Sequence, residues 1–188
     1  MSGWRQKRET MQHYNVTAKS YDELYAAEQR VKIEKALEKV RIPNNSLILD
    51  GGCGTGLLFE YVADKAQLVV GIDISRRILE EAKKRAKKFG NVHLVLADAD
   101  RQPFRDGVFS HVFTVTLLQN MPNPEKTLIE FKRVAVENAL FVITGLKKKF
   151  SRSSFEFLLR KLKLSVMEIV DGNAELKCYV ALCVRDKR

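Results

Sequence analysis

The stretch Leu47-Ile48-Leu49-Asp50-Gly51-Gly52-Cys53-Gly54-Thr55-Gly56-Leu57-Leu58 is an apolar run that breaks into glycines and then resumes at helical spacing. Residues 46–50 (SLILD) read as a buried strand, and residues 55–64 (TGLLFEYVAD) as a helix. Glycines at such a break let the backbone turn tightly and approach a ligand with no Cβ in the way. A helix starting behind them would present unsatisfied N–H groups. In an open α/β sheet, ligands bind at this carboxyl edge of the strands. Asp73 closes the next apolar run, 23 residues after Asp50, where a carboxylate can accept both hydroxyls of a ribose. Gly52, Gly54 and Gly56 give G-x-G-x-G rather than the dinucleotide fingerprint G-x-G-x-x-G, which makes a dinucleotide pyrophosphate the weaker reading.

Further short apolar runs follow at 67–73, 92–97, 108–116 and 139–144, with helical patterns between them. Ser75 reads as the N-cap of a helix over 76–89, with Ile78, Leu79, Ala82 and Ala86 on one face and Gly90 at its stop. Pro124 opens another, with Leu128, Ile129, Phe131 and Val134 repeating every three or four residues. Continuously apolar strands separated by helices are buried on both faces and belong to a parallel sheet. A helix over 153–162 precedes two last strands, near 164–170 and 175–184. Asp171-Gly172-Asn173-Ala174 between them is hairpin chemistry. The expected fold is α/β: a doubly wound, mostly parallel seven-stranded sheet with an antiparallel C-terminal hairpin, Rossmann-like in outline. Residues 1–45 read as helices, one of them over 27–40, and no linker or repeat divides the chain. One domain over 1–188 is expected.

The composition agrees: 188 residues with 45% hydrophobic and 30% charged side chains form a core-bearing domain rather than a disordered chain. No apolar run approaches the ~18–20 residues of a membrane span, and the first eight residues carry charge with no apolar stretch behind them, so a cytoplasmic protein is expected. Cys53, Cys178 and Cys183 are too few for a disulfide scaffold. Cys178 and Cys183 stand an odd number of residues apart on one strand, hence on opposite faces. His13, His93 and His111 are isolated, and no metal is expected.

Four ordered motifs resemble the class I S-adenosylmethionine-dependent methyltransferases. They are the loop at 50–56, the acidic residue Asp73, the segment Leu96-Ala97-Asp98-Ala99-Asp100 with Pro103-Phe104, and Leu117-Leu118-Gln119-Asn120-Met121-Pro122-Asn123-Pro124. The resemblance runs from about Tyr14 to Thr144 and is strongest to the ubiquinone/menaquinone-biosynthesis enzymes and related RNA methyltransferases. It implies S-adenosyl-L-methionine as cofactor, with Gly52 and Gly54 letting its methionine part lie on the backbone and Asp50, Cys53 and Gly56 also among the cofactor-binding residues. It further implies that Asp73 holds the ribose and Ile74 packs on the adenine. Asp98 would accept from the adenine amino group beside Ala99. Tyr14 and Tyr21, in the N-terminal helices, would close over the cofactor. Leu117 would face the methyl group, with Gln119 and Asn120 on the acceptor side. Each of these has a plainer reading: Asp73 and Asp98 as local caps, the tyrosines as packing, Cys53 as a small buried side chain. Where the family commonly has Lys-Pro-Gly-Gly, Ala135-Val136-Glu137-Asn138 stands instead. Gln119-Asn120-Met121-Pro122 is not the Asn/Asp-Pro-Pro-Tyr tetrapeptide of amino-group methyltransferases. No motif identifies a general base; Asp100, Gln119, Asn120 and His13 are candidates only by proximity.

Charge bears on the acceptor. Lys and Arg number 33 against 23 Asp and Glu, and the excess concentrates after residue 100, at +7 against +3 before it. Lys147, Lys148 and Lys149 follow the fifth strand at the carboxyl edge, within a stretch at 146–163 that holds seven basic residues and only Glu156 as acid. A basic rim there suits RNA; a solvated charged face is the alternative. Three functions stay open: methyl transfer to tRNA or rRNA, methyl transfer to a small quinone-like metabolite, and a non-catalytic scaffold of the same fold. The resemblance also raises a small zinc-binding activator subunit as a partner.

Overall fold

The computed structural model describes residues 3–171 and 176–186. Its centre is a seven-stranded sheet of β1 (Leu47–Gly51), β2 (Leu68–Asp73), β3 (Val92–Leu96), β4 (Phe109–Thr114), β5 (Ala135–Leu146), β6 (Leu164–Val170) and β7 (Cys178–Arg185). The strands lie in the order β3-β2-β1-β4-β5-β7-β6. The first five pair in parallel, and β7 runs antiparallel to both β5 and β6. This is the expected α/β sheet. The order reverses at β1, so the carboxyl ends of β1 and β4 flank the crevice where open sheets bind ligands.

Helices α1 (Gly3–Thr17), α2 (Tyr21–Leu37), α3 (Phe59–Val62), α4 (Arg76–Ala86), α5 (Pro124–Val134) and α6 (Arg152–Lys161) surround the sheet. Successive residues along the strands feed opposite faces. Leu49, Phe141 and Ile143 join Phe109, Phe131 and Phe155 in one core cluster, while Ile48 and Val142 join Phe59, Val62 and Phe113 in the other. Cys183 belongs to the first and Cys178 to the second, on opposite faces as the odd spacing requires. Each fully buried Phe contributes on the order of 2–3 kcal/mol.

The elements depart from expectation where glycine or local hydrogen bonding overrides pattern. In place of a helix over 55–64 the chain makes turns through Gly56, then the four residues of α3 and a 3-10 turn at Ala63–Lys65. Helix α4 has its Ser75 cap, whose hydroxyl accepts from Ile78 N at 3.2 Å. It ends at Ala86, however, and Gly90 is not in the left-handed region. Strand β5 starts at Ala135 rather than 139, with an irregularity opposite β4 between Phe109 and His111. At that irregularity Asn138 adopts φ 59°, a conformation that Asn tolerates. The turn expected at 171–174 lies, apart from Asp171, outside the described residues, and the strands flanking it pair antiparallel with Val170 opposite Val180.

Candidate functional site

At the β1/β4 switch point lies an open cleft of about 720 Å³, the solvent at its mouth included. An adjoining recess of about 360 Å³ shares Tyr21, Gly52, Gly54 and Val115 with it. Of the residues singled out in the sequence, Tyr14, Tyr21, Gly52, Gly54, Asp73, Ile74, Asp98, Ala99, Leu117 and Asn120 line the cleft. Asp50 and Cys53 line the recess instead.

The glycine loop is shaped by what it packs against. Gly52 N and Cys53 N both donate to Ile72 O at 2.9 Å, and Gly54 N donates to Asp73 Oδ2 at 3.1 Å. The loop's N–H groups are thus spent on β2 rather than presented at a helix start. At Gly54, with φ 55°, nothing lies within 4 Å of where a Cβ would stand. A side chain there would project into open space beside the backbone. Gly56 differs: a Cβ would fall 2.3 Å from the Phe59 ring, and Gly56 lines neither cavity. Its role is the turn and the packing, not contact with a ligand.

Asp73 Oδ1 accepts from Ser75 N at 2.9 Å, so the carboxylate joins the loop to the start of α4 while facing the cleft. The local-cap reading and the ligand reading hold together, because each oxygen keeps a lone pair after one backbone bond. Burial pushes Asp73 up to about 6. Asp50 rises to about 8, chiefly by burial and then by the nearby Asp73 carboxylate. Burial also holds the Cys53 thiol well above its ordinary value, so it is no nucleophile.

On the opposite wall, Asp98 Oδ1 accepts from Lys7 Nζ at 2.6 Å and from Asp100 N at 3.0 Å. Lys7 Nζ also donates to Asp100 Oδ2 at 2.5 Å, and Thr127 Oγ1 donates to Asp100 Oδ1 at 2.5 Å. Asp100 is buried and does not line the cleft, so it is not placed to serve as a general base there. At the mouth, Tyr14 and Tyr21 meet edge-on with centroids 5.9 Å apart, and Asn120 Nδ2 donates to Tyr14 Oη at 3.0 Å. Burial raises both phenols, which stay protonated at neutral pH. His13 is exposed.

The sequence reading missed Lys7, Thr10, Thr116 and Met121 on the cleft wall. Lys7, Thr10 and Tyr14 sit three and four residues apart on α1, one face of a helix, which is the signal that could have found them. The apolar run at 108–116 predicts Thr116 as strand, but it has φ 63°, a costly conformation for a β-branched residue. Five contacts hold it. Its N donates to Thr144 Oγ1, its O accepts from Gln119 and Asn120, and its hydroxyl bonds Gln29 and buried Lys32. Gln119 thus serves the loop and does not line the cleft. Lys147 is paired with Asp171 at 2.8 Å and lies over the Tyr179 ring, while Lys148 and Lys149 are exposed. None of the three lines the cleft. Among the described residues, no three of His, Cys, Asp and Glu converge to hold a metal, and no helix is long and apolar enough to cross a membrane.

The family described as the methyltransferase domain matches residues 49–143, just over half of the chain, from β1 through β5. The chain belongs to this family. With its sheet order and loop it is a class I S-adenosylmethionine-dependent methyltransferase. An uncharacterised protein of Methanocaldococcus jannaschii is 26% identical over 89% of the chain and 68% of its own length. The ubiquinone/menaquinone biosynthesis C-methyltransferase of Rickettsia prowazekii is 29% identical over 75% of the chain and 62% of its own. The 18S rRNA (guanine-N(7))-methyltransferase of Bos taurus is 37% identical, over 49% of the chain and 33% of its own. The methyltransferase thus spans about two thirds of the length of the first two relatives and one third of the last. Two solved structures share its fold. Magnesium protoporphyrin IX methyltransferase from Synechocystis, with its cofactor bound, has a TM-score of 0.80 at 16% identity, covering 96% of this chain and 97% of that one. A complex of the Trm112 methyltransferase activator with a methyltransferase from Haloferax volcanii gives 0.81 at 15% identity, covering 93% and 98%.

S-adenosylmethionine suits the residues present. Gly54 leaves room beside the backbone, Asp73 and Asp98 offer carboxylate acceptors, and two tyrosine rings line the same cleft, where a cation would gain from an aromatic face.

Proposed function

We propose that the methyltransferase acts on RNA, tRNA or rRNA, in the cytoplasm. The observation that carries this is the position of Lys148 and Lys149. Both are exposed on the turn that leaves β5. That turn begins three residues after Thr144, whose hydroxyl bonds the cleft residue Thr116 at 2.7 Å. Arg152, the first residue of α6, is over half exposed and makes only a long ion pair, 3.9 Å, with Asp171. Lys147 drops out of the rim because Asp171 neutralises it. A net charge of +10 supports the same reading, as does the likeness to an rRNA methyltransferase.

S-adenosylmethionine supplies an already activated methyl group, so the chain's work is orientation and exclusion of water. Asp73 and Asp98 would fix the two ends of the adenosine. Ile74 and Ala99 would pack on the adenine, and the recess at Asp50 and Gly52 would take the amino-acid end. Thr116 holds Asn120, and Asn120 holds the Tyr14 hydroxyl at the mouth, where the acceptor would enter. Helices α1 and α2 would cap the cofactor from residues 1–45.

Two further readings have support. The quinone-biosynthesis relative favours a small-molecule acceptor. The Haloferax volcanii neighbour favours an activator subunit as partner. A Lys148→Glu/Lys149→Glu variant tests the RNA reading by filter binding across a salt titration. Weaker binding with a shallower salt slope is expected. Unchanged binding at every salt concentration would leave the rim a solvated face and favour the metabolite acceptor.

A further inference from the structure

Helix α1 is polar along its length, and the one residue it buries is a lysine, Lys7, at 8% exposure. Burying an ammonium is costly unless carboxylates receive it, and here two do, at 2.6 and 2.5 Å. The two carboxylates differ in surroundings. Asp100 is closed off behind the cleft wall, held on its other oxygen by Thr127. Asp98 faces the cleft, and the bonds it accepts from Lys7 and from Asp100 N are both made to Oδ1. Among the described residues no donor reaches Oδ2.

The geometry points to Lys7 as a positioning residue for purine recognition: by pinning Oδ1 of Asp98 it turns Oδ2 into the cleft as a single fixed acceptor for an exocyclic amino group. This rests on the reading of Asp98 as the adenine-amino acceptor, and adds to it what fixes that carboxylate. A carboxylate free to rotate would meet an amino group or, after a small turn, let a carbonyl pass. One clamped by a lysine and a backbone N–H offers only a lone pair. Adenine donates to it from its amino group, whereas hypoxanthine would present a carbonyl oxygen at the same place. Lys7 shares its face of α1 with Thr10 and Tyr14, which also line the cleft. The same ion pair therefore also seats α1 over the site.

The test is calorimetric titration with S-adenosylhomocysteine and with its deaminated counterpart S-inosylhomocysteine, on wild type, Lys7→Arg and Lys7→Met, each checked for folding by thermal melt. The wild type should prefer the adenine ligand by about 10- to 100-fold, the discrimination of one hydrogen bond to a charged group. Lys7→Met should cut the preference to about threefold or less, and Lys7→Arg should keep most of it. A folded Lys7→Met variant that retains the wild-type ratio overturns the inference, even if both affinities fall together, since that is what loss of α1 seating alone would give. If Lys7→Met does not fold, Asp100→Asn, which loosens Lys7 without reaching the cleft, should lower the ratio; an unchanged ratio overturns the inference. Wild type that binds neither ligand would instead remove the cofactor reading beneath it.

Discussion

Replacing Asp73 by Asn separates what the site needs from what the fold needs. In the folded chain Asp73 makes two backbone bonds, to Gly54 N and Ser75 N, and turns its remaining lone pairs to the cleft. Two ribose hydroxyls donating to a carboxylate would contribute about 1.5–3 kcal/mol each. An amide keeps one oxygen and presents an NH2 where the second acceptor stood. The expected loss is about 3–4 kcal/mol, or roughly 100- to 1000-fold in affinity. Stability should respond differently. Burial raises Asp73 to about 6, so above that pH the carboxylate carries a desolvation cost of about 1–2 kcal/mol, allowing for its partial exposure. Asn removes that net cost, but its NH2 faces one of the two backbone N–H donors, which then lacks an acceptor at a cost of about the same size. The melting temperature at pH 8 should therefore stay within about 4 °C of wild type. Calorimetry with S-adenosylhomocysteine, paired with thermal melts, reads both quantities. A folded Asp73→Asn variant that binds within threefold of wild type would refute the reasoning.

Two glycines three residues apart should fail in opposite ways. A Cβ on Gly51 would stand 2.2 Å from Phe131 Cζ; Gly51→Ala should cost about 3 kcal/mol or more of stability, visible in urea melts. Gly54→Ala meets nothing in the folded chain and should cost about 1 kcal/mol, for its positive φ, yet weaken cofactor binding at least about tenfold by calorimetry. The pH dependence follows from raised carboxyl values. With Asp73 at about 6 and Asp50 at about 8, the folded chain holds protons that the unfolded chain has released by pH 5. The stability of the ligand-free protein should therefore fall as pH rises from about 5 to 8. Ribose donors require ionised Asp73, so cofactor affinity should rise over about pH 5 to 7, with proton release on binding detectable by calorimetry in buffers of different ionisation enthalpy.

Much of this architecture is written in local pattern. SLILD followed by glycine, the Ser75 cap, Pro124 at a helix start and the limits 164–170 of β6 all agree with the structure, because each rests on a short-range rule of hydrophobic period or terminus chemistry. Asp73 is legible because it closes β2, whereas Asp98, two residues past the end of β3, is marked only by the family resemblance. Other parts depend on contacts distant in sequence. Lys7 lies 91 residues from Asp98, in a polar helix with no apolar stripe to mark its inward face. Thr116 looks like the end of a strand, yet Gln29, Lys32 and Thr144 hold it in a left-handed turn. Lys147 looked as available as its two neighbours until β5 and β6 brought Asp171 against it. Residues 55–58 have a helical period, but the positive φ of Gly56 and the Phe59 ring beneath it shorten the helix to four residues.

Whether this cleft delivers a methyl group to RNA can be read in one transfer assay. The protein, purified with any bound partner, is incubated with methyl-labelled S-adenosylmethionine and separate RNA, protein and lipid extracts of the source cell, with Asp73→Asn as control. Label is expected in RNA with the wild type, reduced at least about 100-fold with the variant at sub-saturating cofactor. Label in the lipid or protein fraction and none in RNA would contradict the account.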